Sequence, residues 1–279
     1  MGVVGIATER NMMDYLEKKP RGFTLIELLV VIAIIALLLA IIMPSLAMAK
    51  RHGKTVFCMN NLRQMSLAAT SYTIENKDYY PLAHYHVNVG DVNYFYSWDF
   101  TSHKDWNATP PENIVESGIL WQGQTLEKVQ QCPSFKGDAN WFADPFTGYN
   151  YNTSYIGRDE SVFPAKSTRA SEVRSPGGTA LFGDGQYAAG ANKFMRPPLP
   201  AAGGRDASVG DAMRAAGTQG YRHNNKTNVA FCDGHVESLK KLYTAITDSA
   251  VKNDLDEYNR THDVKIGFLS DNNKVYDLK

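Results

Sequence analysis

Apolar and polar positions divide the chain into two unequal parts. From Phe23 to Met43 it reads FTLIELLVVIAIIALLLAIIM, 21 residues with one charge, at Glu27. About 20 apolar residues let a helix cross the hydrocarbon core of a bilayer, and so uniform a run is unusual in a water-soluble core. Pro44 closes the run and withdraws one backbone donor from the helix. Beyond it the pattern becomes periodic. Cys58, Leu62, Met65, Ala69 and Tyr72 recur at three- and four-residue steps, which marks one face of an amphipathic helix. These features predict one long, broken helix from Phe23 to about Ile74. Its first part, residues 23–43, suits lipid; its second, residues 44–75, lays an apolar stripe on a folded head.

From about Asn76 onward Tyr, Trp, Asn, Asp and Gly are frequent and long apolar runs disappear. Val92 to Tyr96 and Tyr149 to Asn152 alternate as strands or aromatic-rich loops do. Two segments resemble each other, Thr179 to Gly185 and Asn228 to Gly234; each is a short apolar strand ending in Asp-Gly. That dipeptide favours a tight type I′ turn, and His235 to Leu239 alternates again, so Val229 to Leu239 reads as a β-hairpin. Residues 186–220 contain Arg196-Pro197-Pro198-Leu199-Pro200 and Ala201-Ala202-Gly203-Gly204, runs that resist regular structure. They predict a long, flexible surface loop. The fold class expected is α+β, a long N-terminal helix packed on an antiparallel β-rich head spanning residues 76–279.

Composition adds little to this picture. The 29 basic and 29 acidic side chains cancel, which removes any global electrostatic reason to expect nucleic acid as a partner.

Three readings of the apolar run compete. Ala47-Met48-Ala49 has the small-x-small pattern of a secretory cleavage site, but the run exceeds the usual apolar core of about 7–15 residues in such signals. A plain uncleaved anchor is the second. Both leave Glu27 unexplained, since a carboxylate inside lipid costs on the order of 3 kcal/mol. The third reading accounts for it: Lys18-Lys19-Pro20-Arg21-Gly22-Phe23-Thr24-Leu25-Ile26-Glu27 closely resembles the processing site of type IV pilins and type II secretion pseudopilins. The resemblance implies a leader over residues 1–22, cleavage after Gly22 by a prepilin peptidase and methylation of the new N-terminus at Phe23. It also implies that Glu27 pairs with the terminal amine of a neighbouring subunit. Lys50, Arg51 and Lys54 nearly balance Arg10, Lys18, Lys19 and Arg21 across the run, so the bias of positive charge is weak. The resemblance supplies the orientation instead: a single pass through the bacterial inner membrane, with the C-terminal head in the periplasm or in an envelope or cell-surface filament.

A narrower resemblance rests on Cys58-Met59-Asn60-Asn61-Leu62-Arg63-Gln64, on Asp78-Tyr79-Tyr80-Pro81, on Cys132-Pro133-Ser134, and on His223 followed after nine residues by Asp233-Gly234. It is similar to the large pilin-like proteins marked by an H-X9-DG motif, less clearly over residues 82–175.

The head offers few groups with evident chemistry. Asp184, His223, Asp233 and His235 are candidate metal ligands, the carboxylates for a hard cation such as calcium and the histidines for zinc. No EF-hand or His-Glu-x-x-His spacing accompanies them. The simpler alternative gives His223 a structural hydrogen bond before the hairpin and Asp233 a part in its turn. With no recognisable nucleophile motif, the chain is not expected to be an enzyme, and no cofactor beyond that calcium candidate is expected. Of the three cysteines, export lets Cys58 and Cys132 persist as a disulfide tying helix to head, with Cys232 a buried free thiol. The function expected is a structural, pilin-like subunit of a type II secretion pseudopilus or related type IV filament, its partners being the prepilin peptidase and other pilin-like subunits. The alternative is a membrane-tethered binding protein for a carbohydrate or envelope ligand that never polymerises. Mass spectrometry of the native membrane form is expected to find a chain that starts at Phe23 with a methylated amine; a start at Lys50 would instead identify a secretory signal.

Overall fold

The computed structural model describes residues 22–105, 112–123, 127–138, 144–158, 166–188, 190–201 and 210–279, so the leader expected over 1–22 lies outside the described residues except for Gly22. Helix α1 runs Leu25–Glu75 with Pro44 inside it. The chain divides into two compact units, residues 1–48 and 49–279.

In the first unit, every described residue is exposed. Leu25, Leu29, Leu37, Ile41 and their apolar neighbours present their side chains outward. Pro44 has no N–H to offer its helical acceptor, and one turn of local support comes from Ser45 Oγ, which donates to the carbonyl of Ile42 at 2.8 Å. Among the described residues this is the one helix long and apolar enough to cross a membrane.

In the second unit, residues 49–75 of α1 contribute a buried stripe. Cys58, Leu62, Met65 and Ala69 are fully buried as the periodicity predicts, whereas Tyr72 is half-buried. The stripe also takes in Asn61, Ser66 and Thr73, which the apolar pattern does not announce. They are tolerated because each returns its polar atom to a carbonyl: Asn61 Nδ2 to Gln131 at 3.1 Å, Ser66 Oγ to Leu62 at 3.0 Å and Thr73 Oγ1 to Thr70 at 2.8 Å.

The described residues of the head form three small sheets. Strands β1 (His84–Val89), β2 (Val92–Ser97), β3 (Phe100–Asp105) and β4 (Glu112–Ser117) form an antiparallel meander. Strands β5 (Asn150–Asn152), β6 (Ala180–Gly183) and β7 (Phe194–Met195) precede the short helix α2 (Asp211–Ala215), and β8 (Gln219–Gly220), β9 (Thr227–Phe231) and β10 (Val236–Leu239) follow it. The central sheet has the order β10-β9-β6-β5-β7, antiparallel except for the β5–β7 edge. Helix α3 (Ser249–Thr261), capped by the Asp248 carboxylate, precedes β11 (Ile266–Gly267), which pairs with β8. The α+β, pilin-like arrangement of a long apolar N-terminal helix with an antiparallel β-rich C-terminal region is thus present.

The two similar segments are neighbours in the central sheet, β6 against β9, with a register shift between Ala180 and Phe182. The expected hairpin is β9–β10, with Val236 opposite Ala230. Its turn differs from the type I′ expectation. Only Gly234 takes positive φ, at 87°, and its N–H reaches the Phe231 carbonyl while Phe231 N–H reaches that of His235. This is a three-residue loop with a glycine bulge, in which the left-handed position falls after the Cys232-Asp233 pair. The type I′ geometry sits instead at His223 to Lys226, where Asn224 and Asn225 take φ of 56° and 58° and the flanking backbones exchange hydrogen bonds.

The expectation of a flexible loop over residues 186–220 needs correction. Its described part contains β7, α2 and β8 and is substantially buried, with Lys193, Met195, Arg196, Arg214 and Gln219 all inside; residues 189 and 202–209 lie outside the described residues. Composition misleads here because small residues permit close approach, as at Gly217, where a Cβ would stand 2.5 Å from the Arg196 nitrogen.

The main core gathers Leu62, Met65, Trp98, Tyr151, Phe182 and Ala230 from α1, the β2–β3 connection and the central sheet. Trp98, Tyr151 and Phe182 pack ring against ring with centroids 5.1–5.7 Å apart, Tyr151 stacked on Phe182 and Trp98 tilted against both. Beside them lies a buried charge triad: Lys193 Nζ stands 2.8 Å from Asp99 Oδ1 and 3.0 Å from Asp144 Oδ2. Burial, only partly offset by Lys193, pushes the Asp99 carboxyl up to about 6. A raised carboxyl pKa favours the protonated form in the fold, so this group's contribution is present below its ordinary range near 4 and lost as pH rises through about 6. Lys193→Met is expected to cost about 3–5 kcal/mol at neutral pH by leaving two carboxylates buried without a cation, and chemical denaturation should find the deficit shrinking as pH falls through about 6.

Candidate functional site

Two places bring the sequence candidates together. At the start of α1, Thr24 and Glu27 form a reciprocal cap. The Thr24 backbone N–H and hydroxyl donate to Glu27 Oε2 at 2.9 and 2.8 Å, and Glu27 N–H donates to Thr24 Oγ1 at 3.3 Å. This is the Ser/Thr-x-x-Glu capping box, and it fixes the Glu27 carboxylate at the first helical turn, four residues from Phe23, where the unpaired N–H groups and the helix dipole favour a negative charge. The same residues that open the helix locally therefore hold the one acidic side chain of the apolar run.

The second place is buried in the head. Cys58 comes from α1, Cys132 from the loop before Pro133, Asp184 from the end of β6 and His223 from the turn before β9. Their ligand atoms all lie within 4.8 Å of one another. Cys58 Sγ donates to Asp184 Oδ1 at 3.1 Å, His223 Nε2 is 3.4 Å from Asp184 Oδ2 and 3.5 Å from Cys132 Sγ. Arg222, itself buried, caps the group: Nε donates to Cys132 Sγ at 3.2 Å and Nη2 to Asp184 Oδ1 at 3.2 Å, while its other donors go to the carbonyls of Gly148 and Gly185. Asn228 closes the opposite side, its backbone N–H on Asp184 Oδ2 at 2.7 Å and its amide on Cys58 Sγ at 3.2 Å.

The charges answer one another. Burial opposes ionisation of Asp184, but the Arg222 guanidinium, His223 and the Asn228 N–H hold its carboxyl below the usual range. Burial likewise disfavours protonated His223, and the Asp184 and Cys132 bonds outweigh it, raising the ring to about 9. Burial pushes the Cys58 thiol up, whereas its hydrogen bond to Cys132 and the nearby Arg222 overcome burial at Cys132 and bring that thiol down.

The sequence candidates are redistributed by this arrangement. Asp184 and His223 meet; Asp233 and His235 do not join them. Asp233 Oδ1 instead accepts the His235 backbone N–H at 3.1 Å and faces its ring nitrogen at 2.5 Å, on the exposed hairpin turn. The histidine and aspartate of the nine-residue spacing thus have separate partners. Cys58 and Cys132, expected as a pair, meet in the buried cluster as free thiols. Arg222 and Asn228 were not singled out from the sequence, although an arginine directly before His223 offered a signal. Gly148 lets the cluster close: its φ is 120° and a Cβ there would stand 2.8 Å from Cys132 Cβ.

Comparison with known proteins bears on the N-terminal end. A family model described as the prokaryotic N-terminal methylation motif matches residues 18–43. Over 62 residues the chain is 39% identical to a Thermus thermophilus protein described as the type IV wide pilus major component PilA4, a match covering 22% of this chain and 47% of that protein. The chain therefore spans about half the length of that curated relative. No solved structure matches it.

Asp184→Asn is expected to destabilise the head by about 3–5 kcal/mol, because it leaves Arg222 buried without its carboxylate. The equivalent change in the other Asp-Gly pair, Asp233→Asn, should stay within about 1 kcal/mol, since its contact with His235 faces solvent. Denaturant titration of the two variants side by side checks the contrast.

Proposed function

We propose that the chain, type IV prepilin-like at its N-terminal end, is a structural subunit of a type II secretion pseudopilus or a related type IV filament. In this reading it is made as a precursor, cut after Gly22 by a prepilin peptidase, methylated at Phe23 and held in the bacterial inner membrane until it assembles. The observation that carries the reading is the methylation motif over residues 18–43, on a helix whose apolar side chains are all exposed as far as residue 48. Such a surface is stable only in lipid or against other helices of its kind. Glu27, fixed at the first turn by Thr24, is positioned to receive the amine of a neighbouring subunit's Phe23, which offsets the cost of a carboxylate at that depth. The head belongs on the periplasmic side, and the H-X9-DG resemblance of His223, Asp233 and Gly234 is part of the same proposal.

One feature favours the tethered binding protein as a second reading. On the β1–β2–β3 sheet the rings of Tyr85 and Tyr96 stack 4.7 Å apart, and Tyr94 continues the row to Tyr96 at 6.2 Å and to His103 at 5.2 Å. Stacked aromatics on a sheet can take a sugar ring as well as pack.

Cysteine cross-linking along residues 25–43 in native membranes separates the two readings. An assembling subunit is expected to give a ladder of helix-to-helix products in the processed wild type that is lost in Glu27→Ala, with membrane insertion unchanged. Processed protein that stays monomeric, and whose head binds glycan arrays, would favour tethering.

A further inference from the structure

The four side chains converging around Cys58 of α1 make a donor set that the filament reading does not use. Cys58, Cys132 and Asp184 are fully buried and His223 is 2% exposed. Two sulfurs, one imidazole nitrogen and one carboxylate oxygen are the ligand types of a structural zinc site, and the sulfurs exclude calcium and magnesium, which take oxygen ligands.

The spacing fits as well as the chemistry. With zinc bonds of about 2.3 Å to sulfur and about 2.0–2.1 Å to nitrogen and oxygen, a tetrahedron has edges of about 3.5 Å from sulfur to nitrogen and about 3.4 Å from nitrogen to oxygen. Cys132 Sγ and His223 Nε2 are 3.5 Å apart, and His223 Nε2 and Asp184 Oδ2 are 3.4 Å apart. Cys58 Sγ lies in the same group, all of whose ligand atoms are within 4.8 Å of one another.

The surroundings are those of anionic ligands. Each sulfur receives an N–H, Cys58 from Asn228 Nδ2 and Cys132 from Arg222 Nε, both at 3.2 Å. A neutral thiol is a weak acceptor, whereas N–H donors toward a metal-bound thiolate orient and stabilise it. Asp184 Oδ1 is held by Arg222 and Oδ2 by the Asn228 backbone, leaving Oδ2 a second lone pair for a metal. Two thiolates and one carboxylate carry three negative charges; Arg222 supplies one positive charge and a divalent ion the other two, so the buried assembly is neutral. A cystine made from the same cysteines would require an S–S bond of about 2.05 Å and would leave neither sulfur a charge to answer Arg222.

We propose that Cys58, Cys132, Asp184 and His223 bind one Zn²⁺ in a closed tetrahedral site that fastens helix α1 to the loop before Pro133 and to the central sheet. With all four positions taken by protein, the site has no place for a substrate, and its role is structural. It holds or fails independently of whether the chain polymerises.

The test uses the full-length protein extracted from membranes in mild detergent, with thiols alkylated at lysis in one aliquot. Elemental mass spectrometry is expected to find about one zinc per chain, the stoichiometry of a single four-ligand site. The metal should be lost in Cys58→Ser with Cys132→Ser and retained in Asp233→Asn with His235→Ala. Should the cysteine variant fail to fold, exchange of Co²⁺ into the wild type reads the ligands directly: thiolate-to-cobalt charge-transfer bands and intense tetrahedral d–d absorption are expected. A wild type with no zinc and no cobalt–thiolate absorption would overturn the proposal. So would stoichiometric metal in the folded cysteine variant, or a Cys58–Cys132 cystine in non-reducing peptide mapping of the wild type.

Discussion

The Asp184 carboxylate, fully buried at the end of β6, is the interaction on which the head is organised. A charge without water is costly unless its oxygens are occupied by donors and a countercharge, and Asp184 obtains these from three separate parts of the chain: Cys58 of α1, Arg222 and His223 of the turn before β9, and the backbone of Asn228 in β9. Satisfying one carboxylate therefore requires the helix, the β6–β9 pair and the intervening turn to be in register together. Arg222 extends the requirement to Gly148 and Cys132, and the glycine's positive φ and missing Cβ are what let the loop come close enough. Lys193 repeats the logic on the other side of the core, tying the edge strand β7 to Asp99 beyond β2 and to Asp144.

The membrane-compatible part of the chain obeys a different constraint. Apart from the first-turn N–H groups and the acceptor facing Pro44, residues 25–48 pair their backbone groups within the helix, and their apolar side chains gain nothing from water. Among the described residues their polar commitments are local, the Thr24–Glu27 box and Ser45 to Ile42. A segment built this way needs partners outside its own chain, in lipid or in other helices, and Glu27 adds a charge whose burial is acceptable only beside a cation. That combination turns the first half of the helix toward surroundings outside its own chain, while the head carries its own set of buried interactions.

The helix, its apolar first half and its buried stripe from Cys58 to Ala69 were legible because a 21-residue apolar run and a three-to-four-residue repeat are read from one element at a time. The hairpin from Val229 was legible for the same reason, and only its turn type was misread, since whether the left-handed position falls on Asp233 or after it depends on strand register. Residues 186–220 were misread because Ala, Gly and Pro carry no periodic signal; their burial follows from where Lys193, Arg196 and Arg214 find partners.

For the candidate sites the division is sharper. Sequence alone located the methylation-motif segment and the Thr24–Glu27 cap, because motif, capping and the charge in the apolar run all depend on residues within a few positions of one another. It also identified Asp184, His223, Cys58 and Cys132 as residues with chemistry to offer. Tertiary structure decided their partners: His223 turns to Asp184, 39 positions earlier, and away from Asp233, while the two cysteines join them with Arg222 and Asn228. The reason is that a buried charge selects partners by distance and desolvation, and neither is written in the spacing of residues along a chain.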